Sequence, residues 1–261
     1  MKKFIYILFI YLIVVFNLQA QDISEAIYFC QTNLTSKSGY DGKNTLYFSN
    51  FKSLYIHDDF PRKSENIINE TTFRKIEGDI EGLPVFIDRK ENIIVWKETC
   101  CDFQINYILS DTISNIHWSI LPIKKKIGQY QCQQAVGKFG GRIYDVFFTE
   151  EIPSSFGPYK LNGLPGLIIW AKSRDDRVFY ELIKFIPKSS REITIDPPNI
   201  GIEMTTDEYD LMLINLVERT RARSTAKVKV EGGLPRENST IEKNRFDQLE
   251  RIDKILRNRK N

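Results

Sequence analysis

Histidine is scarce in this chain of 261 residues, which contains only two. The chain also lacks a Gly-x-Ser-x-Gly elbow, a His-Glu-x-x-His pair and a glycine-rich phosphate loop, which argues against serine hydrolase, zinc peptidase and nucleotide-binding chemistry. His57 with Asp58 and Asp59 could supply metal ligands, but a polar strand end is the more ordinary interpretation. His117 beside Trp118 is more typical of a hydrogen-bonded sheet residue than of a general base. We therefore expect no enzymatic activity, no metal and no cofactor.

Long apolar runs are also missing, apart from one near the amino terminus. Lys2 and Lys3 precede an apolar stretch that ends near Leu18, and the small residue Ala20 follows. This is the layout of a secretory signal peptide, and the stretch is shorter than the roughly 20 apolar residues that a membrane-spanning helix needs. We expect residues 1–20 to be a signal peptide and the mature protein to lie in the periplasm or at the outer membrane.

Cysteine occurs only four times, and no Cys-x-x-Cys spacing suggests a zinc site. The four residues are Cys30, Cys100, Cys101 and Cys132. An even number of cysteines in an exported protein predicts disulfide bonds. Because adjacent cysteines rarely bond to each other, we expect Cys30 to pair with one of the two adjacent residues and Cys132 with the other. Which of the two takes which partner stays open.

The body of the chain, residues 21–204, has the pattern of a β-rich domain. Short runs rich in aromatic and β-branched residues alternate with turn signals, and helical crossover segments are missing. Val85–Ile87 and Ile93–Trp96, for example, are joined across the polar turn Asp88–Asn92. Further strands are predicted at Thr45–Ser49, Ser53–Ile56, Phe103–Ile108, Ile127–Val136, Ile143–Phe148, Leu167–Ala171 and Val178–Ile186. We predict a mainly β fold with α additions: a curved antiparallel sheet or open half-barrel with C-terminal helices.

Residues 205–261 are predicted to form a helical, basic C-terminal region. Thr205–Glu208 has the arrangement of a capping box, and apolar residues follow at helical spacing. A helix from about Thr206 to Arg219 should pack on the sheet, and a second helix is predicted after Ser239. In an exported protein, the basic residues suit peripheral contact with an anionic membrane better than contact with nucleic acid.

Short elements between Trp118 and Ile168 form an ordered pattern. They are Trp118–Ile120, Ile127–Cys132, Ala135, Phe139, Gly141–Arg142, Phe148–Thr149, Glu151–Pro153, Gly157–Pro158 and the run Gly163–Ile168. In this order they resemble the signature of the GLPGLI family of secreted Gram-negative proteins. The resemblance implies an exported envelope protein and names no reaction. It does not extend beyond about Ile195.

The run Gly163–Ile168 has a plain structural interpretation. Pro165 presets the backbone for the second position of a turn, and Gly166 supplies a positive dihedral angle at the third, which predicts a type II turn from Leu164 to Leu167. A strand buried on both faces, or nearly so, should follow. The alternative is a loop that contacts a ligand, with Pro158, Gly163, Leu164, Pro165 and Gly166 as the candidate ligand-binding residues.

Arg142 is a further ligand-binding candidate, because its planar guanidinium group can bind a carboxylate or a phosphate. A cross-strand ion pair with Asp145, Glu150 or Glu151 is the simpler alternative. The aromatic content of 12% and the shortage of catalytic groups favour a non-enzymatic binding module for an apolar ligand or a partner-protein segment. The alternatives are an assembly or structural factor for outer-membrane machinery and, less favoured, a cysteine-based redox enzyme or a hydrolase.

We predict that the exported protein begins at Gln21, because the charged start, the apolar stretch and Ala20 together form a cleavable signal. Mass spectrometry of the protein recovered from the cell envelope should give the mass of residues 21–261. An intact Met1, or a diacylglycerol group on Cys30, would contradict this prediction.

Overall fold

The computed structural model describes residues 22–35, 38–57, 83–100 and 105–216. Within these ranges there are twelve strands and one helix, α1, at residues 206–216. The strands are β1 (Ser24–Thr35), β2 (Ser38–Phe48), β3 (Lys52–His57), β4 (Val85–Asp88), β5 (Ile93–Cys100), β6 (Ile105–Thr112), β7 (Ser119–Ile127), β8 (Tyr130–Phe139), β9 (Arg142–Thr149), β10 (Leu167–Ser173), β11 (Val178–Ile186) and β12 (Ile202–Thr205).

The twelve strands form one sheet in the order β12-β6-β5-β4-β3-β2-β1-β11-β10-β9-β8-β7. Neighbouring strands are antiparallel, except that β12 runs parallel to β6. The described strands do not close into a barrel, because β12 and β7 are both edges. The predicted mainly β fold with an open sheet and an α addition is therefore confirmed, with β12 as the parallel exception.

Alternation along the strands divides the buried residues between two faces of the sheet. In β2, Leu46 and Phe48 belong to the larger core cluster, on what we call the inner face. Tyr47 belongs to a smaller cluster on the outer face. Two connecting segments pack against the sheet, one on each face. Segment 113–118 links β6 to β7 and packs on the inner face, whereas segment 187–201 links β11 to β12 and packs on the outer face.

Helix α1 begins with the predicted capping box. The Glu208 carboxylate accepts hydrogen bonds from the backbone N–H and the hydroxyl group of Thr205, both at 2.8 Å, and the Glu208 N–H donates to the Thr205 hydroxyl at 3.2 Å. Tyr209 is fully buried, with its ring centroid 5.3 Å from that of Tyr107 on β6. The prediction that this helix packs on the sheet is confirmed. The predicted second helix lies outside the described residues, as does the predicted signal peptide.

The loop between β9 and β10, residues 150–166, folds over the inner face and buries four large apolar side chains. These are Ile152, Phe156, Leu161 and Leu164. The indole N–H of Trp118 donates to the Asn162 carbonyl at 2.8 Å, and the Gly163 N–H donates to the Ser155 carbonyl at 2.8 Å. Backbone hydrogen bonds and apolar burial together hold this loop against the sheet.

The predicted type II turn is wrong, because Gly166 does not have a positive φ. In the run, it is Gly163 that has one, at 98°. Gly166 is needed for a different reason: a Cβ atom there would overlap the carbonyl group of Thr149 and lie 2.9 Å from the backbone nitrogen of Glu150. The end of the loop thus passes directly against its beginning. The buried strand expected after the turn is confirmed as β10.

One predicted strand needs correction, and β1, β7 and β12 were not among the predicted strands. The predicted strand Ile127–Val136 is interrupted by a turn at Gly128, whose φ is 57°, so that β7 ends and β8 begins there. The sequence of β7 does not alternate between apolar and polar residues, because most of its side chains are exposed, and it therefore gave no strand signal. The hairpin of β4 and β5 across residues 88–92 is confirmed.

The cysteines also differ from the prediction. Cys30 and Cys132 are free thiols, buried in the larger core cluster on β1 and β8. These two cysteines act as small buried side chains of the core and form no disulfide bond. Cys101 and the side chain of Cys100 lie outside the described residues.

Replacing Gly166 with asparagine should lower the free energy of unfolding by about 1–3 kcal/mol, because the added side chain meets the Thr149 main chain. Asparagine tolerates a positive φ, so a turn that needed only that angle would accept it. Gly128→Asn is the matched control: its φ is 57° and a Cβ atom there meets nothing within 4 Å. Urea unfolding should show Gly128→Asn near the wild type. Equal stability of the two variants would disprove the close approach.

Candidate functional site

A cleft of about 670 Å³ opens on the inner face of the sheet. Residues of eight strands, β1, β3, β4, β5, β6, β8, β9 and β11, contribute to its walls. Residues 159–162 of the loop between β9 and β10, residues 114–116 of segment 113–118 and the turn glycines Gly140 and Gly141 also line it. The volume lies within the range of roughly 300–1,000 Å³ that is usual for small-molecule sites.

Five side chains from separate parts of the chain line one region of this cleft. We call them the tyrosine cluster: Cys30, His57, Tyr144, Tyr159 and Tyr180. The Tyr180 side chain hydrogen-bonds to the Cys30 thiol. Burial raises the pKa of Tyr180 well above 10, and interactions with Cys30, Tyr55, Tyr144 and Tyr159 raise it further. The Cys30 thiol and the Tyr180 hydroxyl are therefore in direct contact.

The Cys30 thiol is protonated at neutral pH. Burial raises its pKa to about 12, although hydrogen bonds with Asn44 and Tyr180 act in the opposite direction. The thiolate is the nucleophilic form of cysteine, and reactive cysteines have a lowered pKa. Cys30 is therefore unsuited to nucleophilic chemistry in this setting.

His57 is neutral at the same pH. Burial lowers the pKa of its imidazole to about 4, because the charged form loses its hydration. The ring centroid lies 5.3 Å from that of Tyr55 and 6.5 Å from that of Tyr159. A neutral imidazole offers one hydrogen-bond donor and one acceptor. The Tyr180 hydroxyl is uncharged at pH 7 as well, because burial raises its pKa well above 10.

Trp96 connects β5 to the loop between β9 and β10. The ammonium nitrogen of Lys160 lies 3.4 Å from the Trp96 ring centroid, which is a cation–π contact. The Trp96 indole N–H donates to the Glu98 carboxylate at 3.0 Å. All three residues line the cleft, so its charged Lys160 and Glu98 side chains are engaged by the protein itself.

Arg142 also lines the cleft, directly after the turn between β8 and β9. Gly140 and Gly141 form this two-residue turn with φ values of 54° and 75°, which glycine adopts without strain. The Arg142 side chain is 8% exposed and pairs with the carboxylate of Asp175, in the turn between β10 and β11. Arg142 thus joins two neighbouring turns at the edge of the cleft.

The ion pair of Arg142 differs from the one predicted from sequence. Asp145, an expected partner, binds the guanidinium group of Arg174 at 2.8 Å. Glu151, another expected partner, accepts a hydrogen bond from the backbone N–H of Gln131 at 2.7 Å. The sequence names only near neighbours along the chain, whereas Asp175 reaches Arg142 through the pairing of separate hairpins.

Of the six predicted ligand-binding residues, the structure places only Arg142 in the lining of the cleft. The other five, Pro158, Gly163, Leu164, Pro165 and Gly166, lie in the loop between β9 and β10. Gly163 and Pro165 are exposed, and the other three are buried. The burial of Pro158, Leu164 and Gly166, and the close contact at Gly166, support the structural interpretation of the run. Ligand contact by these five residues stays a prediction.

The tyrosine cluster was missed by the sequence analysis. Its members come from four strands and one loop, and no local spacing connects them. The structure itself marks one member: Tyr159, which follows Gly157-Pro158, adopts a positive φ of 56°, which is rare for an aromatic residue. Such backbone strain persists where surrounding contacts hold it, and it is found often at ligand sites.

Among the described residues, no group of three or more histidine, cysteine, aspartate or glutamate side chains is placed to hold a metal ion. Asp58 and Asp59, which the sequence offered with His57 as metal ligands, lie outside those residues. In the part of the chain that the structure describes, no helix has the length and apolar character to cross a membrane.

The fold and cleft define a mainly β protein with an open sheet and a ligand-sized site. Two solved structures of PNGF-II, in two crystal forms, are similar to it, each with a TM-score of 0.52 and 15% sequence identity. The similarity covers 73% of this chain and 32% or 33% of the PNGF-II chain. The chain therefore spans about a third of PNGF-II, and the likeness shows the fold alone. No family model and no curated protein matches the sequence.

Stability should fall as the pH is lowered from 7 to 4, partly because of His57. The unfolded imidazole takes up a proton near pH 6.5, whereas the folded one resists protonation until about pH 4. In this window the unfolded state binds more protons, so acid favours unfolding by roughly 2–3 kcal/mol from this residue at the lower end.

Chemical unfolding at several pH values should therefore show a shallower pH dependence for His57→Gln than for the wild type. His117→Gln is the matched control, because His117 is exposed and is the other histidine of the chain. A pH dependence that is the same in the wild type and both variants would refute the burial effect.

Proposed function

We propose that this chain is an exported, non-enzymatic binding module of the cell envelope, and that the inner-face cleft holds its ligand. The observation that carries the proposal is the cleft itself, of about 670 Å³, lined by aromatic rings that include Trp96, Tyr144 and Tyr159. Concave sites of this size with aromatic walls and a few polar groups are typical of ligand binding. Export follows from the amino-terminal layout and from the GLPGLI resemblance.

The protonation states in the cleft support binding over turnover. An efficient general acid or base has a pKa near the working pH. The pKa of His57, at about 4, and that of Cys30, at about 12, lie far from neutrality in opposite directions. A redox enzyme would instead depend on Cys100 and Cys101, of which Cys101 and the Cys100 side chain lie outside the described residues.

The cleft is also favoured over the sheet edge as the binding surface. Strand β7 is an exposed edge, with Ile120 and Ile123 about half exposed. Pro122 has no N–H group to donate to an added strand, and three lysines follow at residues 124–126. Proline and lysine on an edge discourage pairing with another chain. A partner-protein segment that adds to β7 is therefore the weaker alternative.

A bulky residue inside the cleft should abolish ligand binding. Thr32 lines the cleft, whereas its neighbour Gln31 points to the opposite face of β1. Saturation-transfer NMR of the mature protein against a library of small fragments should give binders for the wild type and for Gln31→Trp. The same fragments should lose their signal with Thr32→Trp.

Fragments that bind Thr32→Trp as well as the wild type would show that the cleft is not the site. Turnover of generic ester, peptide, glycoside or phosphate substrates that is abolished by His57→Gln would overturn the non-enzymatic part of the proposal.

A further inference from the structure

Polar side chains in the inner wall of the cleft already interact with the protein. The Cys30 thiol hydrogen-bonds with the Tyr180 side chain, and the Glu98 carboxylate accepts a hydrogen bond from the Trp96 indole. Six more polar lining residues have partners within the protein: His57, Arg142, Tyr144, Tyr159, Lys160 and Asn162. A ligand that enters the cleft therefore meets a wall whose polar groups are largely engaged.

Lys97 and Thr206 are buried lining residues whose polar groups do not face a ligand. Lys97 is paired in register with Ile108, which belongs to the outer-face cluster. Directly paired side chains share a face, so the Lys97 ammonium group lies on the side of the sheet away from the cleft. The Thr206 hydroxyl oxygen has no hydrogen-bond partner among the described residues, but it is itself enclosed and out of contact with solvent.

The rim of the cleft is polar and exposed. Asp111, Ser114, Asn115 and Lys138 line the cleft and are exposed to solvent. Asp111 and Lys138 have opposite charges, so the rim does not select strongly for one sign. A polar group of a ligand can stay hydrated at the rim while the rest of the ligand enters.

Between the engaged polar groups, the wall presents aliphatic surface. Val85, Ile94, Leu109, Leu161 and Val178 all line the cleft and are buried from solvent. A hydrocarbon chain placed against such surface gains the free energy of leaving water and loses no hydrogen bonds.

Ligands with many polar groups fit this wall poorly. A peptide segment has an N–H and a C=O group at most residues, and a sugar has several hydroxyls. Each such group would lose its water inside the cleft and find few partners to replace it, which is unfavourable. An alkyl chain has no such groups.

We propose that the cleft binds the alkyl chain of a single-chain amphiphile, of the chemical class of fatty acids, with the chain along the inner wall and the polar end at the rim. This class agrees with the apolar ligand expected from the aromatic content. The inference rests on the proposed function, because it assigns a ligand class to the same cleft.

Isothermal titration calorimetry of the mature protein tests the chain directly. The probes are octanoic, decanoic and dodecanoic acids, each below the concentration at which it self-associates. Affinity should rise by about fourfold for each added CH₂ group, because each one is removed from water. An affinity that does not rise with chain length would overturn the alkyl class.

The polar end is tested with the chain held constant. Dodecyl maltoside and dodecyltrimethylammonium should bind within about tenfold of dodecanoic acid, since charges at an exposed rim are screened by water. Maltose, which has the same polar end without the chain, should not bind. Maltose that binds as tightly as dodecyl maltoside would show that the chain is not what the cleft recognises.

Thr32→Trp and Gln31→Trp locate the chain. Thr32→Trp should abolish the binding of dodecanoic acid, whereas Gln31→Trp, on the opposite face of β1, should keep the dependence on chain length. Thermal melts establish that both variants fold. The chain-length series of the wild type needs no variant, so it tests the proposal even if Thr32→Trp does not fold. Wild-type affinity in a folded Thr32→Trp variant would place the chain outside the cleft and overturn the proposal.

Failure of this inference is distinguishable from failure of the proposed function. If the alkyl series shows no chain-length dependence but fragments bind and lose their signal with Thr32→Trp, the alkyl class is overturned and the binding module stands. Absence of binding by every alkyl probe and by the fragment library would overturn both.

Discussion

The close approach of Gly166 to the Thr149 main chain is the constraint on which the architecture of the cleft depends. Thr149 ends β9 and pairs with Leu167 at the start of β10, so the loop of residues 150–166 leaves and re-enters the sheet at one point. A loop of this length with adjoining ends must lie over one face, and its buried apolar residues select the inner face. The loop thereby brings Tyr159 and Lys160 opposite β3 and β5, and it turns an exposed sheet surface into a cleft.

Burial then determines the chemistry of that cleft. The same low-polarity surroundings shift the pKa values of His57 and Cys30 in opposite directions, because in each case the uncharged form is favoured. Groups that are reactive in other settings thus become neutral hydrogen-bonding partners. The ion pair of Arg142 with Asp175 and the contact of Lys160 with Trp96 hold the charged side chains in place. Neither His57 nor Cys30 then has a pKa near neutrality, and this supports the proposed binding role of the cleft.

Sequence signals predicted correctly those features that depend on residues close together in the chain. The capping box at Thr205–Glu208, the hairpin of β4 and β5 and the doubly buried β10 were all predicted, because each depends on neighbouring residues. Strand β7 was missed, since an exposed edge strand has no alternation of polar and apolar residues. The role of Gly166 was misassigned, because a proline-glycine pair predicts a turn equally well whether the glycine is needed for its dihedral angle or for lack of space.

By itself, the sequence determined the mainly β class, the antiparallel character of the sheet and the position of the helix that follows it. These properties depend on periodicity and turn residues, which act over a few positions. Only the tertiary structure decided that β1 joins two meanders, that Arg142 meets Asp175 and that Cys30, His57, Tyr144, Tyr159 and Tyr180 converge. Contacts between residues so far apart in the chain depend on how the strands pair and on how the sheet is covered. No local pattern specifies either.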